Sequence, residues 1–200
     1  MWNALRNLAW VAVLHTPILV EAAPLGAPRH DGFLLNGEPI SPVIIGDFLG
    51  WMSDSGPTLR TVDLTEATGS NRYHDDGITG SLESGFLIAQ VGVEDGRVPP
   101  SFGYRVLGVL SNGDFVRQAF QSGGGSGVFF DLLVVRMHDV ASVDLRHAPE
   151  QHTALTLVAT LVLGDRDTGE LVLEGDVIWI GASQHRDAER RFDLVARETR

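Results

Sequence analysis

The segment Ser122-Gly123-Gly124-Gly125-Ser126-Gly127 is the most conspicuous place in this chain where the backbone itself could do chemistry. A run of glycines lets successive N–H groups converge on an anion or lie close to a ligand. A phosphate-binding loop also needs a lysine after its last glycine and a helix beyond it. Here a strand-like stretch, Val128-Phe129-Phe130, follows and there is no lysine. A dinucleotide fingerprint fails for want of the same helix. The serine-hydrolase pattern G-x-S-x-G fails because Val128 stands where its final glycine belongs. What remains is a tight loop between two strands that can offer N–H groups to a ligand. Asp131, four residues further on, lies inside the most apolar stretch of the chain. A carboxylate there needs hydrogen-bond donors, and the glycine N–H groups are expected to supply them.

Carboxylates recur in two other places. Gly164-Asp165-Arg166-Asp167-Thr168-Gly169 contains D-x-D-x-G, with Asp176 further along. Asp165, Asp167 and Asp176 are the candidate ligands for a hard cation such as Ca²⁺, since alternating carboxylates in a turn present several oxygens. The EF-hand pattern is not met: the glycine falls one place early, a third loop acid is missing and no helices flank it. A polar hairpin loop explains the same residues. Arg72-Tyr73-His74-Asp75-Asp76-Gly77 gathers an aromatic ring, an imidazole and paired carboxylates. Tyr73, His74, Asp75 and Asp76 could contact a sugar, hold a metal or polarise water, although a turn ending in Asp-Gly needs no ligand to account for them.

His138, His147 and His152 fall close together, near Asp139 and Asp144, but match neither H-E-x-x-H nor H-x-H zinc spacing. They are expected to be exposed loop histidines. Ser53-Asp54-Ser55-Gly56-Pro57 faintly echoes a serine-protease nucleophile segment, yet it precedes the histidine and aspartate it would need and lacks the second glycine.

Composition removes further chemistry. All fifteen basic side chains are arginine, and lysine and cysteine are both absent. Schiff bases, cysteine nucleophiles, disulfides and thiolate metal sites are therefore excluded for these 200 residues. A formal net charge of −11 disfavours non-specific nucleic-acid binding and docking on anionic lipid. The arginine-rich end is no basic arm, because Arg186, Arg190, Arg191, Arg197 and Arg200 alternate with Asp187, Glu189, Asp193 and Glu198.

The elements that must position these candidates read as β. Asn-Gly stands between apolar flanks at Asn36-Gly37 and again at Asn112-Gly113, the strongest short-range hairpin signal. Glu94-Asp95-Gly96 and Glu174-Gly175-Asp176 are turns of the same kind. Thr153 to Leu163 alternates with period two, placing Leu155, Leu157, Ala159, Leu161 and Leu163 on one face. With Glu170–Glu174 and Val177–Ile180 it is expected to form a three-stranded meander. Val128 to Met137 is nearly continuous in apolar character, as in a central strand covered on both faces. Further strands are expected at 39–45, 58–64, 86–93, 104–110, 114–120 and 190–197. Short strands at this spacing, without helical patterns between them, predict an all-β fold: a single-domain antiparallel β-sandwich or barrel of about ten short strands joined by hairpins.

The first residues differ from the rest. Arg6 precedes an apolar run from Leu8 to Val20, followed by Val20-Glu21-Ala22-Ala23 and a Pro/Gly-rich segment. That is the layout of a signal peptide over residues 1–22, with a β-rich domain over 23–200 and a periplasmic or secreted location. The run is too short to span a bilayer and contains Pro17. The alternative is that residues 1–22 belong to the fold of a cytoplasmic protein. The expected function is an exported, non-catalytic binding or interaction module, its ligand a carbohydrate or an envelope protein, with no cofactor beyond the Ca²⁺ considered above. The alternatives are a metal- or carboxylate-dependent hydrolase using His74, Asp75, Asp76 and Asp131, and a structural accessory protein of the cell envelope.

Overall fold

A computed structural model describes residues 32–49, 59–67, 78–81, 84–90, 100–166, 168–183 and 188–195. The expectations for residues 1–22, Ser53–Pro57, Arg72–Gly77 and Glu94–Gly96 lie outside them. Among the described residues, no helix is long and apolar enough to cross a membrane.

Asn36 and Gly37 both take positive φ, 53° and 86°, and make the tight primed turn expected of them. They join β1 (Leu34–Leu35) to β2 (Glu38–Pro39). The chain then departs from expectation. Where a strand is predicted over 39–45, helix α1 forms over Pro42–Leu49. Ser41 accepts a hydrogen bond from Val43 N–H at 3.3 Å, and Pro42 opens the helix where its missing N–H costs nothing. The cap and the packing outweigh the β-propensity of Val43-Ile44-Ile45. Ile44, Ile45 and Phe48 are buried, and Gly46 lets the helix approach Phe102, whose ring would lie 2.6 Å from an added Cβ.

Next come β3 (Thr61–Asp63), the single-turn helix α2 (Leu64–Ala67), β4 (Ile78–Ser81), β5 (Leu87–Gln90) and β6 (Ser101–Val109). They are followed by β7 (Phe115–Ser122), β8 (Phe129–Val143) and β9 (Pro149–Asp165). One antiparallel sheet runs in the order β3-β9-β8-β7-β6-β5-β4 and curls into half a barrel. β8 is central, and Asp131 to Val135 are buried, as its unbroken apolar character requires.

Leu133 and Val135 face a core built with Phe33, Ile45, Phe48, Leu64, Tyr104 and Leu155, roofed by α1. Tyr104 donates to Ile40 C=O at 2.6 Å, tying that roof to the sheet. Arg117 is also buried here, its guanidinium 3.8 Å from the Phe33 ring centroid and 4.8 Å from that of Phe115.

The opposite face carries Leu132, Val134, Val116 and Leu163. It is covered by a second sheet, β10 (Leu171–Glu174), β11 (Val177–Ile180) and β12 (Arg190–Asp193), through Ile178, Ile180, Leu173 and Phe192. Two expectations fail here. The predicted meander splits, because β9 stays in the large sheet while β10 and β11 belong to the small one. Gly169 makes the crossing possible: with φ of 70° it passes so close to Gly181 that an added Cβ would lie 2.5 Å from that carbonyl oxygen. The single leucine face of 155–163 also splits. β9 carries extra residues opposite Phe130/Asp131 and Val134/Val135, so Leu155 and Leu157 enter the core under α1 while Leu161 and Leu163 enter the other.

The second Asn-Gly turn is not primed: Gly113 alone has positive φ, 86°, and Asn112 Oδ1 accepts from Asp114 N–H at 3.0 Å. The chain is thus mostly β, in antiparallel sheets.

Candidate functional site

The residues singled out from the sequence are dispersed by the fold. Tyr73, His74, Asp75, Asp76 and Asp167 lie outside the described residues. The glycine loop joins β7 to β8, and it meets the end of β9. Arg166 donates from Nε to Ser126 C=O at 2.9 Å, and Asp165 Oδ1 accepts from Val128 N–H at 2.9 Å. The glycine run and the aspartate motif are therefore one structural corner, with Arg166 and Asp165 pinning Ser126 and Val128 across the sheet.

Asp176 sits at the far end of β10, where Ser111 donates to it twice, from N–H at 2.7 Å and from Oγ at 2.5 Å. Those bonds hold its carboxyl below the usual carboxylate range and tie the β6–β7 turn to the β10–β11 turn. Among the described residues, no three His, Asp or Glu side chains are arranged to hold a metal ion.

Asp131 does not meet the glycine loop as anticipated. It lies two residues inside β8, cross-strand from Ala119 and Val162, and no described residue donates a hydrogen bond to its carboxylate. Burial alone pushes its pKa up to about 6.

The histidines likewise are not three exposed loop residues. His147 is in the β8–β9 turn, whereas His138 and His152 lie on strands, and His152 is buried. His152 bridges two carboxylates, Nδ1 to Asp63 Oδ2 at 2.6 Å and Nε2 to Glu150 Oε2 at 3.1 Å. Both bonds raise its pKa. Asp63 is partly desolvated, which alone would raise its pKa. The bonds from His152 and from the N–H groups of Glu66 and Thr65 outweigh that and lower it. With both ring nitrogens engaged, His152 is a clasp joining β3 and α2 to β9. A second clasp is bidentate: Arg136 donates to the buried Asp114 from Nε at 2.7 Å and from Nη2 at 2.9 Å.

A concave feature outside these motifs lies on the small sheet. Alternation along β10 and β11 sends Leu171, Leu173, Ile178 and Ile180 inward, and leaves Val172, Glu174 and Trp179 on the outer face of the small sheet. Trp179 is 39% exposed, cross-strand from Val172 on one side and Arg191 on the other. Val172 and Trp179 line a cleft of about 350 Å³ with Glu170, Glu174, Ile180, Gly181 and Glu189. The Arg191 guanidinium lies 5.4 Å from the Trp179 ring centroid. An indole surface flanked by carboxylate acceptors and a guanidinium donor can pack against an apolar ring face while exchanging hydrogen bonds with hydroxyls around it. Part of the signal was in the sequence: period two puts Glu170, Val172 and Glu174 on one side of their strand and sets Trp179 apart from Ile178 and Ile180 on its own, while the pairing of the strands brings the two sets together.

Compared with known proteins, the chain matches no family model, no curated protein and no solved structure.

Proposed function

We propose that this chain is a non-catalytic binding module, a single β-sandwich domain whose outer small-sheet face takes a carbohydrate. The observation that carries this reading is the exposed Trp179 in an acid-rimmed cleft of about 350 Å³. That volume is near the lower end for small-ligand sites, about 300–1,000 Å³. A single aromatic in so small a cleft fits one or two sugar rings better than the broad patch a protein partner needs. Hydroxyl-rich rings suit it chemically, since their C–H faces pack on indole while their O–H groups donate to Glu170, Glu174 and Glu189.

Export is part of the proposal and rests on the layout of residues 1–22. The intact mass of native protein from separated cell fractions tests it. A mass starting near residue 23 in an extracytoplasmic fraction is the expected result, and a full-length mass in the cytosol contradicts it.

The binding reading is tested by calorimetric titration of the full chain with cellohexaose, chitohexaose and a mannan oligosaccharide. Saturable heat with at least one of them is expected, and silence from all three removes the carbohydrate reading. The hydrolase alternative keeps one supporting observation, the neutral-range carboxyl of Asp131. Its cross-strand neighbours, Ala119 and Val162, can act neither as base nor as nucleophile.

A further inference from the structure

The β8–β9 ladder outgrows its sheet. β7 pairs with β8 only as far as Val135, and β3 pairs with β9 only over Ala154–Thr156. Beyond them, the rungs from Asp139↔Thr153 to Val143↔Pro149 form a two-stranded arm without a register shift.

The hydrogen bonds at its tip fix which backbone groups face outward. Asp144 N–H donates to Ala148 C=O at 2.9 Å, so that rung is a hydrogen-bonded one. Such rungs alternate along an antiparallel pair. Ser142, Val140 and His138 therefore turn their N–H and C=O toward β9, and Val143, Ala141 and Asp139 turn theirs away. The same alternation holds on β9, where Leu157 N–H leaves the ladder for Arg60 C=O at 2.7 Å and Thr153 N–H for Thr65 Oγ1 at 2.9 Å.

The two edges of the arm differ. On the β9 edge, Pro149 has no N–H to offer and that of Thr153 is taken by Thr65. On the β8 edge, the N–H and C=O groups of Asp139, Ala141 and Val143 meet no partner among the described residues. Proline, lysine and bulges, the usual guards of an open edge, are absent from Arg136 to Val143. An unguarded edge is a template for another strand.

The strand that fits it is the same strand of a second copy. Two antiparallel copies of β8 related by a two-fold axis bring the outward groups together in few registers. An axis at Asp139 sets its carboxylate against its own copy, like charge on like. An axis at Val140 sends Asp144 of the second copy to Arg136, which Asp114 already holds with hydrogen bonds at 2.7 and 2.9 Å. An axis at Ser142 leaves Asp139 opposite Leu145, in the turn beyond the strand. An axis at Ala141 avoids all three. It pairs Asp139 with Val143 and Ala141 with Ala141, narrow rungs that each exchange two hydrogen bonds. It also places His138 opposite Asp144. His138 Nδ1 is buried without a partner among the described residues. Asp144 uses Oδ1 for the N–H groups of Arg146 and Ala148, at 2.8 and 2.7 Å, which leaves Oδ2 to face that imidazole.

We infer that the β8 edge of the arm pairs antiparallel with the β8 edge of a second copy, about a two-fold axis at Ala141. The two large sheets then join into one across the dimer, and the contact closes because each open edge covers the other.

Sedimentation of the full chain over a concentration series reads the dimer. Ala141→Pro removes an outward N–H and leaves the β8–β9 bonds in place. Gln151→Pro makes the same change on the same rung but on the guarded edge. The chain has no cysteine, so Ala141→Cys and Val143→Cys each carry a single thiol. All three positions are exposed. Across the axis the two Ala141 positions lie about 5.5 Å apart, within reach of a disulfide. Val143 faces Asp139 of the other copy, so the two Val143 positions are about 13 Å apart and beyond that reach. The expected result is a concentration-dependent dimer that Ala141→Pro weakens at least about tenfold and Gln151→Pro leaves intact. A disulfide-linked dimer should form from Ala141→Cys and not from Val143→Cys. Circular dichroism verifies each fold, and if Ala141→Pro fails to fold, the two thiol variants decide by themselves. A monomer at every concentration overturns the inference. So does a dimer to which both proline variants are alike, or equal cross-linking from the two thiols.

Discussion

The two sheets use the same alternation to different ends. In the large sheet both faces of the central strand are covered: Leu133 and Val135 point under α1, while Leu132 and Val134 point under the small sheet. In the small sheet, among the described residues, only one face is covered. Ile178 and Ile180 are buried, and their neighbour Trp179 stands on the open side among Glu170, Glu174 and Glu189. A strand buried on both faces has each side chain committed to packing. A strand buried on one face keeps every second position free for something else, and here one of those positions is an indole. The contrast separates residues that hold the fold from residues that can meet a ligand.

The sharpest way to break that contrast is to truncate one residue of each kind. Leu133→Ala is expected to cost roughly 2–5 kcal/mol in urea unfolding, because it opens a cavity under α1. A loss below about 1 kcal/mol would mean that the α1 side is not a packed core.

The next effect has the opposite sign. Asp131 is buried, with its pKa raised to about 6 from a usual value of 3.8. A carboxyl raised on folding binds its proton more tightly in the native state, so it lowers stability progressively as pH climbs from about 4 to about 6. Asp131→Asn is expected to raise stability at pH 7.5 by on the order of 2 kcal/mol and to leave it unchanged at pH 3.5. A variant less stable than the wild type at pH 7.5 contradicts this.

A smaller effect is expected from the His152 clasp. The raised pKa of His152 gives stability that is fully present below its usual 6.5 and is lost as pH rises through the folded value. The lowered pKa of Asp63 acts in the other direction: its share is present above the usual 3.8 and is lost as pH falls through the folded value. Unfolding midpoints between pH 5.5 and 9, measured in the Asp131→Asn background, should fall on the alkaline side. His152→Gln should flatten that fall, and equal slopes with and without the imidazole would remove the clasp from the account. The smallest change is expected at Trp179→Ala, within about 1 kcal/mol of the parent, because its side of the sheet is open.

The uneven legibility of the chain follows the same division. β8 was readable because a strand buried on both faces is apolar throughout, and the Asn36-Gly37 turn because two positive-φ residues in succession demand those types. Pro42–Leu49 was not: Val-Ile-Ile reads as strand, and only the Ser41-Pro42 start marks the helix. The leucine ladder of β9 misled because a bulge reverses every later side chain without leaving a compositional trace. The candidate site was missed for another reason. Attention to motifs favoured loops, whereas Trp179 is informative only through its register with β10 and β12, which a local pattern does not contain. The His152 clasp was equally hidden, since Asp63 is far away in sequence and near only after β3 pairs with β9.

The most direct test of the division is to titrate the wild type and Trp179→Ala side by side with cellohexaose and chitohexaose while recording their melting temperatures. The account predicts that the wild type binds at least one of the two. It also predicts that Trp179→Ala loses at least about tenfold in affinity for it with little change in melting temperature. Equal affinity in the two proteins, or no binding by either, would contradict the claim that the open face of the small sheet is where this protein meets its ligand.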